Sequence, residues 1–565
     1  MKKKFLFLGA AGLIAATMLA GCGEIIEEEI DETKTQLRVK YTNGGFGSEW
    51  LDKLMDEFET EFANYSFEEG KTGVQIIPDY DKRNVGYESI RGNANHVFIQ
   101  EDTDYYTYIS KGVLKNINDV MNAGAVTGVS DSGEVIRETG KTIDDKVNAT
   151  YKAFYKYNSN YFGLPLFETN VGLQYNVGVF EKKKLFFKEG ASAEDFTEAD
   201  FNNQDKLNSL FISRKDDARS TGPDGKTGIV GDKNYSIDDG LPATYKDFRA
   251  LLTMMKTTGV TPFIWNSTCT NYLTSLINDV WATNEGAEQF GLNFTFDGTA
   301  TNLVKLSGGN VTNEIESKQI SVANRADLQL QKGKLQALDF AQYLIGDGNY
   351  YTSSWSTSYT DAHEYFINPD DHSIGDIGFI VEGGWWFRES TDVFKPGAQQ
   401  DAKFSPFILP KVDASKIGTD NIRVSDRRSL MFISNYVEGA ALDVAKLFLS
   451  FLQNDHALET YTKYTSGFRG MEYDLSEETY NSMSYYGKAA WDIARHTDTI
   501  TLPWLPLTDG AKEKVLEMDY AKYGFAIDSN DGNPVMRFYD MKKKGTPITS
   551  EKYFMDIYNF KKNVQ

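Results

Sequence analysis

The sequence predicts an α/β fold, and three observations carry it. Strand and helix patterns alternate from Leu37 onward. Only two cysteines are present, Cys22 and Cys269, so stability rests on apolar cores rather than on disulfides. The 565 residues are enough to build two or more domains. Taken in order, LRVKYTNGG alternates and then turns on Gly44-Gly45, a strand running into a loop. Residues 49–62 place Trp50, Leu54, Met55, Phe58 and Phe62 at helical spacing, which assigns Trp50 to the core. Short strands follow at 74–78 and 96–99, the second leading into another helical pattern, as a lobe with a mainly parallel sheet requires. Residues 161–180 alternate on both sides of Leu164-Pro165. A helix over 243–259 starts at Thr244 and stops at Gly259, and another is expected over 270–287. Residues 377–384 read as a buried strand ending in a glycine turn, and 437–453 as an amphipathic helix.

The N-terminus sets the cellular context. Lys2, Lys3 and Lys4 precede an apolar run over 5–20 that is too short for a comfortable membrane span, followed by Leu19-Ala20-Gly21-Cys22. This ending resembles a bacterial lipobox, which implies a signal peptide over 1–21 and a diacylglycerol on Cys22. An acidic tether over 22–36 would then hold the globular part off the extracellular face of a cell membrane, in the style of a Gram-positive bacterium. An ordinary secretory signal, with Cys22 a bystander, is the alternative reading. The net charge of −22 with no basic cluster disfavours nucleic acid and anionic headgroups as partners; neutral ligands suit it best. Five histidines without HExxH or paired Cys/His spacing give no support to catalytic zinc.

Several segments line up, in order, with a known family: 37–50, 164–180 (LPLFETNVGLQYNVGVF), 241–263, 377–386 (IGFIVEGGWW), 404–410 and 430–469, ending in TSGFR. The chain resembles the family 1 extracellular solute-binding proteins, the maltose-binding-protein-like lipoproteins of carbohydrate ABC importers. The resemblance implies a type II periplasmic-binding-protein-like fold, two α/β lobes joined by a multi-crossing hinge with a ligand cleft between them. Residues 37–166 with about 430–485 would form lobe 1 and 167–429 lobe 2, with 486–565 supplying C-terminal helices packed mainly on lobe 2. It also implies a carbohydrate ligand, ABC permease subunits as partners, a monomer, and closure about the hinge. Extra material at about 187–239 and beyond 475 departs from the family's usual length.

A neutral sugar needs flat aromatic platforms and planar polar groups. Trp385, after the strand IGFIVEGG, is the first candidate platform, its neighbour Trp386 facing the core; Trp265 and Trp355 are further candidates, and Trp491 and Trp504 have no assigned place. The polar candidates are Glu168 and Asn170 at the first crossing, Glu382 before Trp385, and Gln100, Glu101 and Asp102 after the third strand. The glycine-rich loop of Gly44, Gly45, Phe46 and Gly47 offers backbone amides, and Arg469 a bidentate donor. Asp224, Asp232, Asp238 and Asp239, spread among glycines, form a loose calcium candidate that lacks the twelve-residue loop pattern. Two rival functions stay open: a carbohydrate-active enzyme, glycosidase or lyase, with a carboxylate pair among 81 acidic residues, and a two-lobe lipoprotein that binds peptide or signals.

Overall fold

The computed structural model describes residues 29–101, 103–215, 217–227, 237–346, 348–425, 429–496, 499–503, 524–527 and 532–563. The signal sequence, Cys22, Asp102, Asp232 and Trp504 lie outside the described residues.

In chain order, the first lobe begins with β1 (Thr35–Thr42), α1 (Glu49–Glu61), β2 (Val74–Asp81) and β3 (Val97–Glu101). The chain then passes Leu164 and Glu168 into β4 (Val171–Asn176), α2 (Tyr245–Thr257), β5 (Thr261–Ile264) and α3 (Asn271–Glu285). After these come α4 (Lys332–Leu344), β6 (Ile377–Gly383) and β7 (Phe404–Pro406). It returns through β8 (Asn421–Ser425) and β9 (Ser429–Ile433) to α5 (Gly439–Phe451) and α6 (Asp455–Thr465). Lastly come α7 (Tyr485–His496), β10 (Thr499–Pro503), α8 (Pro534–Lys543) and α9 (Ser550–Asn563).

Two four-stranded sheets organise these elements. The first runs β9-β3-β1-β2, with β1 parallel to both neighbours and β9 antiparallel to β3; the second runs β7-β4-β6-β5, with only β5–β6 parallel. The parallel sheet read from the sequence thus describes three strands of the first lobe, while the second sheet is mixed. Each sheet is covered by helices whose apolar stripe gives them their place. Trp50, Leu51, Leu54 and Phe58 of α1 are fully buried, and Phe58 meets Phe448 and Phe451 of α5 edge-on. In α2 the Thr244 capping box forms with Asp247, as its sequence signals.

Three stretches connect the lobes. Leu164 bridges Met431 of β9 and Glu168 bridges Phe468, so the first stretch runs along the first lobe before entering β4. The second takes the chain from β8, which packs on α3, to β9 of the first sheet. The third leads from Phe468 to α7, which packs on β7 and β10, while β10 pairs in parallel with β8. Further on, α8 lies against α3 and α4, and α9 against α4. An antiparallel hairpin of Gly298–Ser307 and Asn310–Ile320, unannounced by any alternation noted in the sequence, projects from the second lobe with most of its second strand exposed. No helix among the described residues is long and apolar enough to cross a membrane.

Candidate functional site

The faces of the two lobes meet at the ends of β1 and β6. After β1 the chain must turn sharply, and Asn43 organises the turn by accepting hydrogen bonds from the amides of Gly45 (3.2 Å) and Gly47 (3.1 Å). Gly45 at φ +126° and Gly47 at φ +79° occupy backbone conformations that side-chain-bearing residues rarely adopt. The turn drives Phe46 inward. It is 2% exposed, with its ring 5.3 Å from Phe167, 6.0 Å from Tyr461 and 6.3 Å from Trp385. Gly467 makes room for it, because a Cβ there would stand 2.7 Å from Phe46 Cε1. Glu101, at the end of β3, lies directly behind Gly44.

From the second lobe, β6 delivers Gly384 and Trp385. The indole of Trp385 is 5% exposed and takes Tyr272 of α3 edge-on at 5.9 Å and Phe46 edge-on at 6.3 Å. A Cβ on Gly45 would reach 2.7 Å from its Cδ1. Trp385 therefore carries the contact between the lobes, with Phe46 and the glycine loop on one side and Tyr272 on the other. Trp386 turns the opposite way into a core of Phe366, Phe404 and Tyr486. Of the sequence candidates, the structure brings Phe46, Glu101 and Trp385 together here.

Behind them lies a polar seam where the connecting stretches converge. Glu168 accepts from Asn148 Nδ2 (3.1 Å) and sits 3.8 Å from Arg495 Nη1 of α7; burial pushes its carboxyl above the ordinary range, and Arg495 opposes the shift. Asn170 donates to Asp279 Oδ2 (2.9 Å), whose other oxygen accepts from the amide of Val424 (2.7 Å). Burial likewise lowers the pKa of the Arg423 guanidinium, which Asp279 and Glu168 offset. Phe46, Glu168, Thr169, Gly384, Ser466 and Tyr486 enclose a cavity of about 30 Å³, room for a water or two. Glu168 and Asn170 thus face the cavity while spending their polar atoms on the seam. Asp279, Arg423, Tyr272 and Tyr486 were missed in the sequence. For Asp279 a signal existed, since it shares the apolar face of α3 with Leu276, Val280 and Thr283, where an acid needs a partner.

The remaining candidates lie elsewhere. Trp265, 2% exposed, stacks on Tyr350 at 4.9 Å and meets Trp355 edge-on at 5.2 Å; Trp355 in turn stacks on Tyr539 of α8 at 4.5 Å. Trp265 belongs to the interior of the second lobe, and Trp355 is half-buried against α8. Glu382 also points inward: it accepts from Asn266 Nδ2 (2.9 Å) and lies 3.3 Å from His363 Nε2, whose Nδ1 is 2.9 Å from Ser390 Oγ. Arg469 is fully buried in the first lobe, bonded to Gln453 Oε1 (2.9 Å) and set 5.5 Å from the Tyr461 ring. Burial lowers its pKa to about 10. Its donors tie the segment after α6 to Leu452 and Gln453 just past α5 and to Met431 of β9. Trp491 packs between Phe468 and Tyr473.

Of the calcium candidate, the described members Asp224 and Asp238 hold backbone amides of their own loop. Asp238 Oδ2 accepts from the amide of Asp224 (3.0 Å), and Asp224 Oδ1 from that of Lys226 (2.7 Å). Asp239 is buried beside them. Among the described residues no group of three or more acidic, histidine or cysteine side chains converges as a metal site.

No family model and no curated protein matches the chain. Solved structures do. A chitin oligosaccharide binding protein superposes with a TM-score of 0.51 at 12% identity, over 94% of this chain and 98% of that one. RafE from Streptococcus pneumoniae in its apo form gives 0.51 at 12% identity over 95% and 99%. A substrate-binding RafE in complex with raffinose gives 0.50 at 12% over 93% and 99%. The fold is thus the two-lobe α/β architecture of these binding proteins.

Proposed function

We propose that this chain is the substrate-binding protein of an ABC importer, capturing a carbohydrate, an oligosaccharide, between its lobes and handing it to the permease without chemistry on the ligand. The observation that carries the reading is Trp385: a large aromatic at the end of β6, on the inter-lobe face, opposite a glycine loop. The structural neighbours named for chitin oligosaccharide binding and for a raffinose complex support carbohydrate as the ligand class. The charge of −22 supports a neutral one. The N-terminal sequence supports lipid anchoring through Cys22 at the outer face of the membrane, with a monomeric body tethered beside its permease.

Among the described residues, an enzyme reading can point to Ser390, His363 and Glu382 in line. Each is at most 2% exposed, sealed beneath Trp386, so no scissile bond reaches it. Isothermal titration calorimetry against neutral oligosaccharides, uronates and short peptides, with product analysis on the same samples, tests the proposal. Saturable binding of an intact oligosaccharide supports it. Cleaved sugar, or binding of peptides alone, overturns it.

A further inference from the structure

The chain itself packs against Trp385, which is 5% exposed. The loop of Gly45, Phe46 and Gly47 lies against the indole, close enough that any side chain at Gly45 would collide with it. Phe46 fills the space bounded by Phe167, Tyr461 and Gly467. Just beyond the loop, Glu49 of α1 forms an ion pair with Arg388 from the second lobe. The guanidinium is fixed from its own side by a bond to Thr391 Oγ1 (2.9 Å). Gly47 lies against the pair, where a Cβ would stand 2.5 Å from Glu49 Oε2.

From this we infer that the β1–α1 loop is an internal cover on the binding face, latched across the lobes by Glu49 and Arg388, which a ligand has to displace before it can stack on Trp385. The inference rests on the carbohydrate reading for the identity of the ligand but not for the existence of the cover. The loop is suited to the task. Its glycines let the backbone approach the indole closely, and Asn43 ties the amides of Gly45 and Gly47 to one side chain. The latch is weak and reversible, because the Arg388 and Glu49 side chains are 28% and 52% exposed and therefore screened by salt. Such a cover makes the apparent affinity the intrinsic affinity reduced by the fraction of molecules with the face free.

The test is an inter-lobe distance measured in the full processed protein in detergent, with spin labels at Asp56→Cys and Lys395→Cys in a Cys269→Ser background. Without added ligand, the parent should show one short distance, and Arg388→Ala and Phe46→Ala should each populate a longer one. Arg388→Lys should restore the short distance. Affinity should move against intuition: Arg388→Ala should bind the ligand about two- to fivefold more tightly. Raising the salt concentration should tighten the parent and leave the variant unchanged. A parent that already samples the long distance, with variants indistinguishable from it, overturns the cover, as does weaker binding by Arg388→Ala. If no carbohydrate binds while the variants still separate the lobes, the cover stands and the ligand assignment falls.

Discussion

Trp265 and Trp385 follow neighbouring parallel strands of one sheet, β5 and β6, yet the fold gives them different surroundings. Beyond β5, the Trp355 loop and Tyr539 of α8 close over Trp265 and turn it into core. Beyond β6, Trp385 stands at the start of a short helix (Trp386–Glu389), where Phe46 of the first lobe meets it. An aromatic at the carboxyl end of a strand is therefore only an opportunity. What packs over it decides between burial within one lobe and contact between the two.

Four substitutions would break or sharpen this contrast. The largest effect is expected from Trp265→Ala, a loss of about 3–5 kcal/mol of folding stability read from a denaturant midpoint, with ligand affinity unchanged in the folded fraction. If affinity collapses while stability holds, Trp265 is a cleft residue after all. Next comes Glu285, at the end of α3 within the second lobe, whose pKa burial raises to about 7 even though it accepts from the Gly333 amide. A carboxyl raised on folding binds its proton more tightly in the native state. Stability should therefore fall as pH rises from about 4.5 to about 7, by at most about 3 kcal/mol from this group. Glu285→Gln should flatten the pH profile of the urea midpoint in that window.

Trp385→Ala should act on binding instead, weakening the ligand by about 2 kcal/mol, roughly thirtyfold, with a far-UV spectrum like the parent's. Calorimetry showing parent affinity in the folded variant would remove Trp385 from the site. The smallest change is Tyr539→Ala, which uncovers Trp355. It should cost about 1 kcal/mol of stability and redden tryptophan emission without altering binding. A shift in affinity there would extend the cleft to the C-terminal helix.

Much of the fold was legible because it rests on local rules. The helix expected over 49–62 forms as Glu49–Glu61, that over 243–259 as Tyr245–Thr257, and the strand expected over 377–384 as Ile377–Gly383. The site was legible in part. Glycines next to Phe46 and a Trp after a glycine turn advertised two halves of one contact. Arg469 and Glu382 misled for a common reason: a charged side chain reads as available until its buried partners, Gln453 and Asn266, are seen.

By itself, the sequence determined the α/β class, the caps, the glycine turn after β1 and the acidic, disulfide-free character of the chain, because propensity, periodicity and composition act within a few residues. Only the tertiary structure decided which aromatic meets the other lobe and which charges join the seam between the crossings. Those choices depend on elements far apart in the chain: α8 over Trp355, α7 bringing Arg495 to Glu168, and Arg388 reaching Glu49. Burial and pairing are properties of the assembled packing, and no local pattern encodes them.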